Sequence, residues 1–213
     1  MPSDFFIRRS IRTLARTATL IAFAVLASTA GAAQNILVFG DSLSAGYGIP
    51  REAAWPSLLA KRLEQKRLDY SVTNASISGE TTSGGRTRLD AALEKTRPAI
   101  VIIALGANDG LRGLPVKTMR DNLTAMAEAA QNRKARVLIV GQRLPPNYGP
   151  YATQFHEAFA AVAKERKTAL VDFLLDGVAT RPELFQADNL HPTAEAQPML
   201  LDTVWQGLAP LLK

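Results

Sequence analysis

The chain has 213 residues, 47% of them hydrophobic, with 25 lysines and arginines against 19 acidic residues and a pI near 9.8. That length buries one full core and is too short for two ordinary domains with linkers, and the absence of cysteine excludes both disulfides and thiolate chemistry. The basic balance gives no support for nucleic-acid binding, because no run of basic residues interleaved with aromatics follows the N-terminal segment.

In that segment Arg8, Arg9, Arg12 and Arg16 precede an apolar run from Leu20 to Leu26, which passes into small residues from Ala27 to Ala33. The pattern is that of a secretory signal peptide over residues 1–33, with Ala30-Gly31-Ala32 or Gly31-Ala32-Ala33 as the cleavage site. A membrane anchor is the alternative, but the apolar run falls short of the roughly 20 residues that span a bilayer. The arginine pair also suggests a twin-arginine signal, although Arg12 interrupts the hydrophobic positions that follow such a pair. Cleavage leaves 21 basic and 18 acidic residues, a net charge of +3 in place of +6. The expectation is one exported domain over residues 34–213, periplasmic or secreted, monomeric and without stable membrane insertion.

Five short β-rich runs follow: Asn35 to Phe39, Tyr70 to Asn74, Ala99 to Leu105, Arg136 to Val140 and Ala169 to Phe173. Helical patterns lie between them, with Trp55, Leu58, Leu59 and Leu63 on one face, then Leu89 and Leu93, then Met119, Leu123, Met126 and Ala130, then Phe155, Phe159 and Val162. A last helix is expected from Thr193 to Leu211. Strands that are apolar at consecutive positions, such as Ile100 to Ile103, belong to a parallel sheet covered on both faces. The predicted fold is α/β: a three-layer α/β/α sandwich with a five-stranded parallel sheet, flavodoxin-like in kind.

Ligands of such sheets bind beyond the carboxyl ends of the strands, and the informative residues stand there. The first strand runs into Gly40-Asp41-Ser42, the second into Ala75-Ser76-Ile77-Ser78-Gly79, the third into Gly106-Ala107-Asn108-Asp109. The fourth enters the turn-rich loop Pro145 to Pro150, a place for substrate contacts. Histidine is the usual base for activating a serine at neutral pH, and the chain has two, His156 and His191. His156 falls within a helical stretch beside Phe155 and Phe159, where a boundary histidine is ordinary. His191 sits in Asp188-Asn189-Leu190-His191-Pro192, a polar loop ahead of the last helix, where an aspartate three residues back can orient the imidazole.

Asp-x-x-His alone also reads as a capped helix entrance. Ser42 reverses that balance, since it follows a buried strand in a Gly-rich turn suited to a nucleophile. A phosphate-cradling loop is the other reading of that turn, but it lacks the Walker lysine and the G-x-G-x-x-G spacing. It is not the G-x-S-x-G elbow either. Gly79, with an unobstructed N–H, and Asn108, with a side-chain amide, are candidates for donors to an oxyanion, although each alone reads as a turn residue.

Together the four blocks, Gly-Asp-Ser-Leu-Ser, the isolated Gly79, Gly106-Ala107-Asn108-Asp109 and Asp188-x-x-His191, resemble the SGNH (GDSL) hydrolase family. Longer stretches, including Asn74 to Gly79, Asn108 to Gly113 and Arg143-Leu144-Pro145, are similar to its bacterial group of multifunctional thioesterases, proteases and lysophospholipases. The resemblance implies that Ser42 is the nucleophile, His191 the general base and acid, and Asp188 the orienter. It also implies an oxyanion hole of Ser42 N–H, Gly79 N–H and the Asn108 amide. Substrate contacts would come from Gly110, Leu111, Leu114, Pro115, Leu144 and Pro145, bordering an apolar groove for an acyl chain. No metal or cofactor is implied. Ala107 stands where a glycine often precedes the asparagine, and Gly48 follows Tyr47 at a position open to larger side chains in relatives; both bear on chain length rather than chemistry.

The expected activity is hydrolysis of acyl esters and thioesters, such as fatty acyl esters, acyl-CoA thioesters and lysophospholipids, with small-molecule substrates and no nucleic acid partner. Three alternatives stand beside it: a carbohydrate O-deacetylase, for which an aromatic content of 7% offers little platform; a non-catalytic periplasmic lipid carrier, which needs no aligned triad; and a flavodoxin-like nucleotide binder, resting on fold alone.

Overall fold

A computed structural model describes residues 33–212, so the leader expected over 1–33 lies, apart from Ala33, outside the described residues. In chain order the elements are β1 (Gln34–Gly40), α1 (Ser42–Ala45), α2 (Trp55–Gln65), β2 (Tyr70–Asn74), α3 (Thr82–Thr96), β3 (Ile100–Ala104), α4 (Ala107–Leu111), α5 (Val116–Asn132), β4 (Arg136–Val140), α6 (Pro150–Arg166), β5 (Ala169–Val171) and α7 (Gln197–Leu208). All five strands are parallel and pair in the order β2-β1-β3-β4-β5.

Side-chain alternation along the strands divides the core in two. Ile36, Val38, Ile100, Ile102, Leu138 and Val140 face one way and pack against Trp55, Leu59 and Leu63 of α2 and Leu200, Val204 and Leu208 of α7. Leu37, Phe39, Val101, Ile103, Val137 and Ile139 face the other, against α3 (Leu89, Leu93), α5 (Met119, Leu123, Met126) and α6 (Phe155, Phe159, Val162). β3 is buried at every position, which is why its sequence shows no polar alternation.

β3 spans Ile100–Ala104, one residue shorter at each end than expected, and two further elements are shorter for a tertiary reason. β5 stops at Val171 because the chain curls over the end of β4: Gly141 N–H donates to Val171 O at 2.8 Å and Leu174 N–H to Gly141 O at 3.0 Å. Only glycine fits at 141, since a Cβ there would stand 2.2 Å from Asp172 O. The last helix begins at Gln197 rather than Thr193 because the preceding residues are engaged elsewhere. Pro192 bridges Phe185, and Thr193 N–H donates to Leu184 O at 2.8 Å. Pro192 therefore belongs to an extended segment five residues ahead of the helix and does not mark its start.

Helix α3 approaches the sheet through Gly85, where an added Cβ would meet Leu105 Cδ1 at 2.4 Å. A Gly85→Val substitution is therefore expected to lower stability by about 1–3 kcal/mol through overpacking, read as a shift of the urea midpoint with an unchanged m-value.

Candidate active site

Order 2-1-3-4-5 places a topological switch between β1 and β3. β1 is followed by α2 on one face of the sheet, β3 by α5 on the other, and the crevice between the two departing chains holds Ser42 and Asn108. Ser42 opens the single turn α1, whose N-cap is Asp41. Asp41 Oδ1 accepts from Leu43 N–H at 3.0 Å, and the turn ends at Gly46 in the left-handed region. The helix that Ser42 opens is thus one turn long.

His191 arrives from the loop before α7. Its Nε2 stands 2.9 Å from Ser42 Oγ and its Nδ1 2.7 Å from Asp188 Oδ2. Asp188 Oδ1 in turn accepts from the backbone N–H of Leu190 and of His191, both at 3.0 Å. These bonds, first the His191 N–H, then the ring, then Leu190 N–H, hold the Asp188 carboxyl down at about 2. It stays an anion, able to fix the imidazole and balance a positive charge on it.

Gly79 adopts φ +79, a conformation that L side chains rarely take, and an added Cβ would meet no atom closer than Arg112 Nη2 at 3.9 Å. Backbone geometry, not crowding, requires glycine. Among the described residues no hydrogen bond engages the N–H of Gly79 or of Ser42. Asn108 donates through Nδ2 to Glu80 O at 3.0 Å and, at the long limit of 3.4 Å, to Asp41 Oδ2.

The structure therefore brings Ser42, Gly79, Asn108, Leu111 and His191 to one cavity of about 150 Å³, with Tyr47 and Leu190 at its walls. A larger adjoining cavity is bordered by Leu111, Leu144 and Pro145. Gly110, Leu114 and Pro115 line neither. Gly110 is buried, where a Cβ would meet the Phe155 ring at 2.6 Å, while Leu114 and Pro115 are exposed beyond the rim. His156 pairs with Gln142 O and with Asp172 and has no contact with Ser42.

Four further residues shape the site. Asp41 is fully buried between Leu43 N–H and the Asn108 amide. Burial pushes its carboxyl up to about 7, against the opposing pull of those two donors. Asp109 accepts from Thr82 N–H at 2.8 Å and from Thr82 Oγ1 at 2.5 Å, fastening the segment that carries Gly79 to the one that carries Asn108. Gln186 Nε2 donates to Tyr47 O at 2.8 Å and to Pro192 O at 3.0 Å, tying the serine loop to the histidine loop. Tyr47 lays its ring against His191, with centroids 4.5 Å apart.

Gly48 owes its identity to that tie: its φ is +75, and a Cβ would stand 2.1 Å from Gln186 Oε1. Asp41 and Asp109 were visible as polar residues in strand-end turns. Gln186 carries no sequence signal, because its partners lie 139 and 6 residues away.

Residues 38–197 match the model of the GDSL-like lipase/acylhydrolase family. The chain is 49% identical to esterase TesA of Pseudomonas aeruginosa over 88% of its own length and 94% of that protein's. It is 39% identical to thioesterase 1/protease 1/lysophospholipase L1 of Escherichia coli, over 88% and 89%. The crystal structure of TesA superposes with a TM-score of 0.82, covering 84% of this chain and all of that one.

Because the folded Asp41 carboxyl titrates near 7 and an unfolded one near 3.8, the folded state retains a proton between these values that the unfolded state has lost. Stability thus falls as pH rises through that window and levels above it. Relative to Asp41→Asn, the wild type is expected to lose on the order of 2 kcal/mol between pH 5 and 7, measured by chemical unfolding of both proteins in matched buffers.

Proposed function

Because the chain belongs to the GDSL-like lipase/acylhydrolase family, we propose that it hydrolyses acyl esters and thioesters through an acyl-enzyme formed on Ser42. The observation that carries the assignment of roles is the continuous line from Asp188 through His191 to Ser42, at 2.7 and 2.9 Å. Ser42 Oγ attacks the acyl carbonyl while His191 Nε2 takes its proton, and Asp188 holds Nδ1–H so that Nε2 faces the nucleophile. His191 then protonates the leaving alcohol or thiol. Water enters, gives its proton to the same nitrogen and releases the acid.

The oxyanion of each tetrahedral intermediate lies between the Ser42 and Gly79 N–H groups and the Asn108 amide. The Asn108 hydrogen held only by the 3.4 Å contact to Asp41 is the one free to turn toward it, while the 3.0 Å bond to Glu80 O keeps the amide plane in place. Such preorganised donors stabilise the transition state without reorganising during the reaction.

An apolar acyl chain suits the site best. Tyr47, Leu111 and Leu190, all substantially exposed, stand at the serine cavity, and the adjoining cavity is walled by Leu144, Pro145, Pro146, Phe173, Leu175 and Phe185. The names of the relatives, an esterase and a thioesterase with lysophospholipase activity, support oxygen esters and thioesters alike. This reading includes export with removal of residues 1–33, action as a monomer in the periplasm or medium, and a catalytic domain over 34–213. Among the described residues no helix is long and apolar enough to cross a membrane.

The test is hydrolysis of p-nitrophenyl acyl esters and acyl-CoA thioesters of increasing chain length. Activity is expected to rise toward medium or long chains. Ser42→Ala and His191→Ala are each expected to lower kcat by at least about 10⁴-fold, and Asn108→Ala by about 10²–10³-fold. Undiminished turnover in Ser42→Ala would remove it as nucleophile.

A further inference from the structure

The loop between β2 and α3 carries Gly79, whose N–H is one of the proposed oxyanion donors, and Glu80, whose carbonyl accepts from the Asn108 amide at 3.0 Å. One side chain of α3 grips this loop near both ends. Arg88 Nη1 donates to Ala75 O at 2.7 Å, and its Nε donates to Glu80 Oε2 at 2.6 Å. The guanidinium lies 3.9 Å from the centre of the Phe39 ring in β1, which fixes its plane. The Glu80 carboxylate is also seated against the first turn of α3 at Gly84, where an added Cβ would stand 1.9 Å from Oε1. Arg88 lines neither the serine cavity nor the larger one beside it, so any effect it has on the reaction passes through the loop.

Stability does not account for this arrangement. Both side chains of the pair are largely buried, and the cost of taking two charges out of water can match their attraction, so an apolar pair would hold α3 to the sheet as well. An apolar pair cannot fix two separate points of a loop with directional bonds. Nor can a lysine, whose compact ammonium lacks the flat fork that reaches two acceptors in set directions. We propose that Arg88 is a positioning residue of the oxyanion hole: its two-point hold on Ala75 O and the Glu80 carboxylate places the Gly79 N–H directly and the Asn108 amide through Glu80 O. The inference rests on acyl transfer at Ser42. Of the proposed donors, only the Ser42 N–H, in the turn capped by Asp41, is then independent of Arg88. These donors act on charge that appears in the transition state, so displacing them lowers kcat and leaves KM.

The experiment assays Arg88→Met and Arg88→Lys on a p-nitrophenyl acyl ester, with rates expressed per site by end-point labelling of Ser42 with a fluorophosphonate, so that loss of folded protein does not enter. Each variant is expected to lower kcat by about 10²-fold, with KM within about three-fold of the wild type. In an Asn108→Ala background, Arg88→Met should cost about ten-fold less than in the wild type, because one donor it places is already gone. A purely structural arginine would give the same loss in both backgrounds. Should Arg88→Met fail to fold, Arg88→Lys carries the same cycle. Unchanged kcat per site, full activity in Arg88→Lys, or independent effects of Arg88 and Asn108 overturns the proposal. If the wild type hydrolyses no ester at all, the assignment of Ser42 fails separately. Hydrogen exchange then decides the hold itself, read at the bonded amides of Ala75, Ile77 and Glu80: exchange faster by about ten-fold or more in the Arg88 variant supports it, and unchanged exchange overturns it.

Discussion

The pairing of β1 with β3, in register from Ile36 with Ile100 to Gly40 with Ala104, is the constraint from which the rest of the site follows. Both strands are covered on both faces, so neither chain can remain in the sheet plane once the pairing ends. One turns toward α2, the other toward α5, and they part at the level of Gly40 and Ala104. The opening left between them is the place where backbone groups are unpaired and side chains from distant parts of the sequence can converge. Ser42 and Asn108 meet there because they are the second and fourth residues beyond the last paired positions.

Around that opening the structure uses polar contacts to fix loops that packing alone would leave loose. Asp109 joins the start of α3 to α4 through Thr82, and Asn108 reaches Glu80 O. Arg112 Nη2 reaches Gly79 O at 3.0 Å. Gln186 closes the opposite side by joining Tyr47 O to Pro192 O. These ties hold the Gly79 segment and the Asn108 amide in place, as a preorganised set of donors requires, and those made by Asp109, Arg112 and Gln186 come from side chains outside the proposed oxyanion hole. The two aspartates nearest the chemistry are pushed in opposite directions by their surroundings. Burial raises Asp41, and three donors at an exposed loop lower Asp188, so that only Asp188 is a permanent anion near neutral pH.

Much of this was legible in the linear chain. The central strands were readable because buried parallel strands are continuous apolar runs, and the edge strand β2, Tyr-Ser-Val-Thr-Asn, through its alternation and β-branched residues; β2 and β4 fall at the expected bounds. Ser42, Asp188 and His191 could be singled out because Asp-x-x-His is a local motif, because the chain has only two histidines, and because the serine turn follows a strand; the structure sets the three in one hydrogen-bonded line. Of the residues expected to contact substrate, half border a cavity. Leu111, Leu144 and Pro145 border the cavities, whereas Gly110, Leu114 and Pro115, all within four residues of Leu111, do not. A sequence neighbourhood fixes which residues are near one another, and only the path of the backbone fixes which of them face the groove.

What the sequence by itself determined is what depends on short range: the apolar periods that make five strands and their covering helices, the Gly-Asp-Ser turn, and the histidine with its aspartate three residues away. What only the tertiary structure decided is what depends on closure over long separations. The separation of 149 positions from Ser42 to His191, the tie from Gln186 to Tyr47 and the shortening of β5 over Gly141 have no local signature.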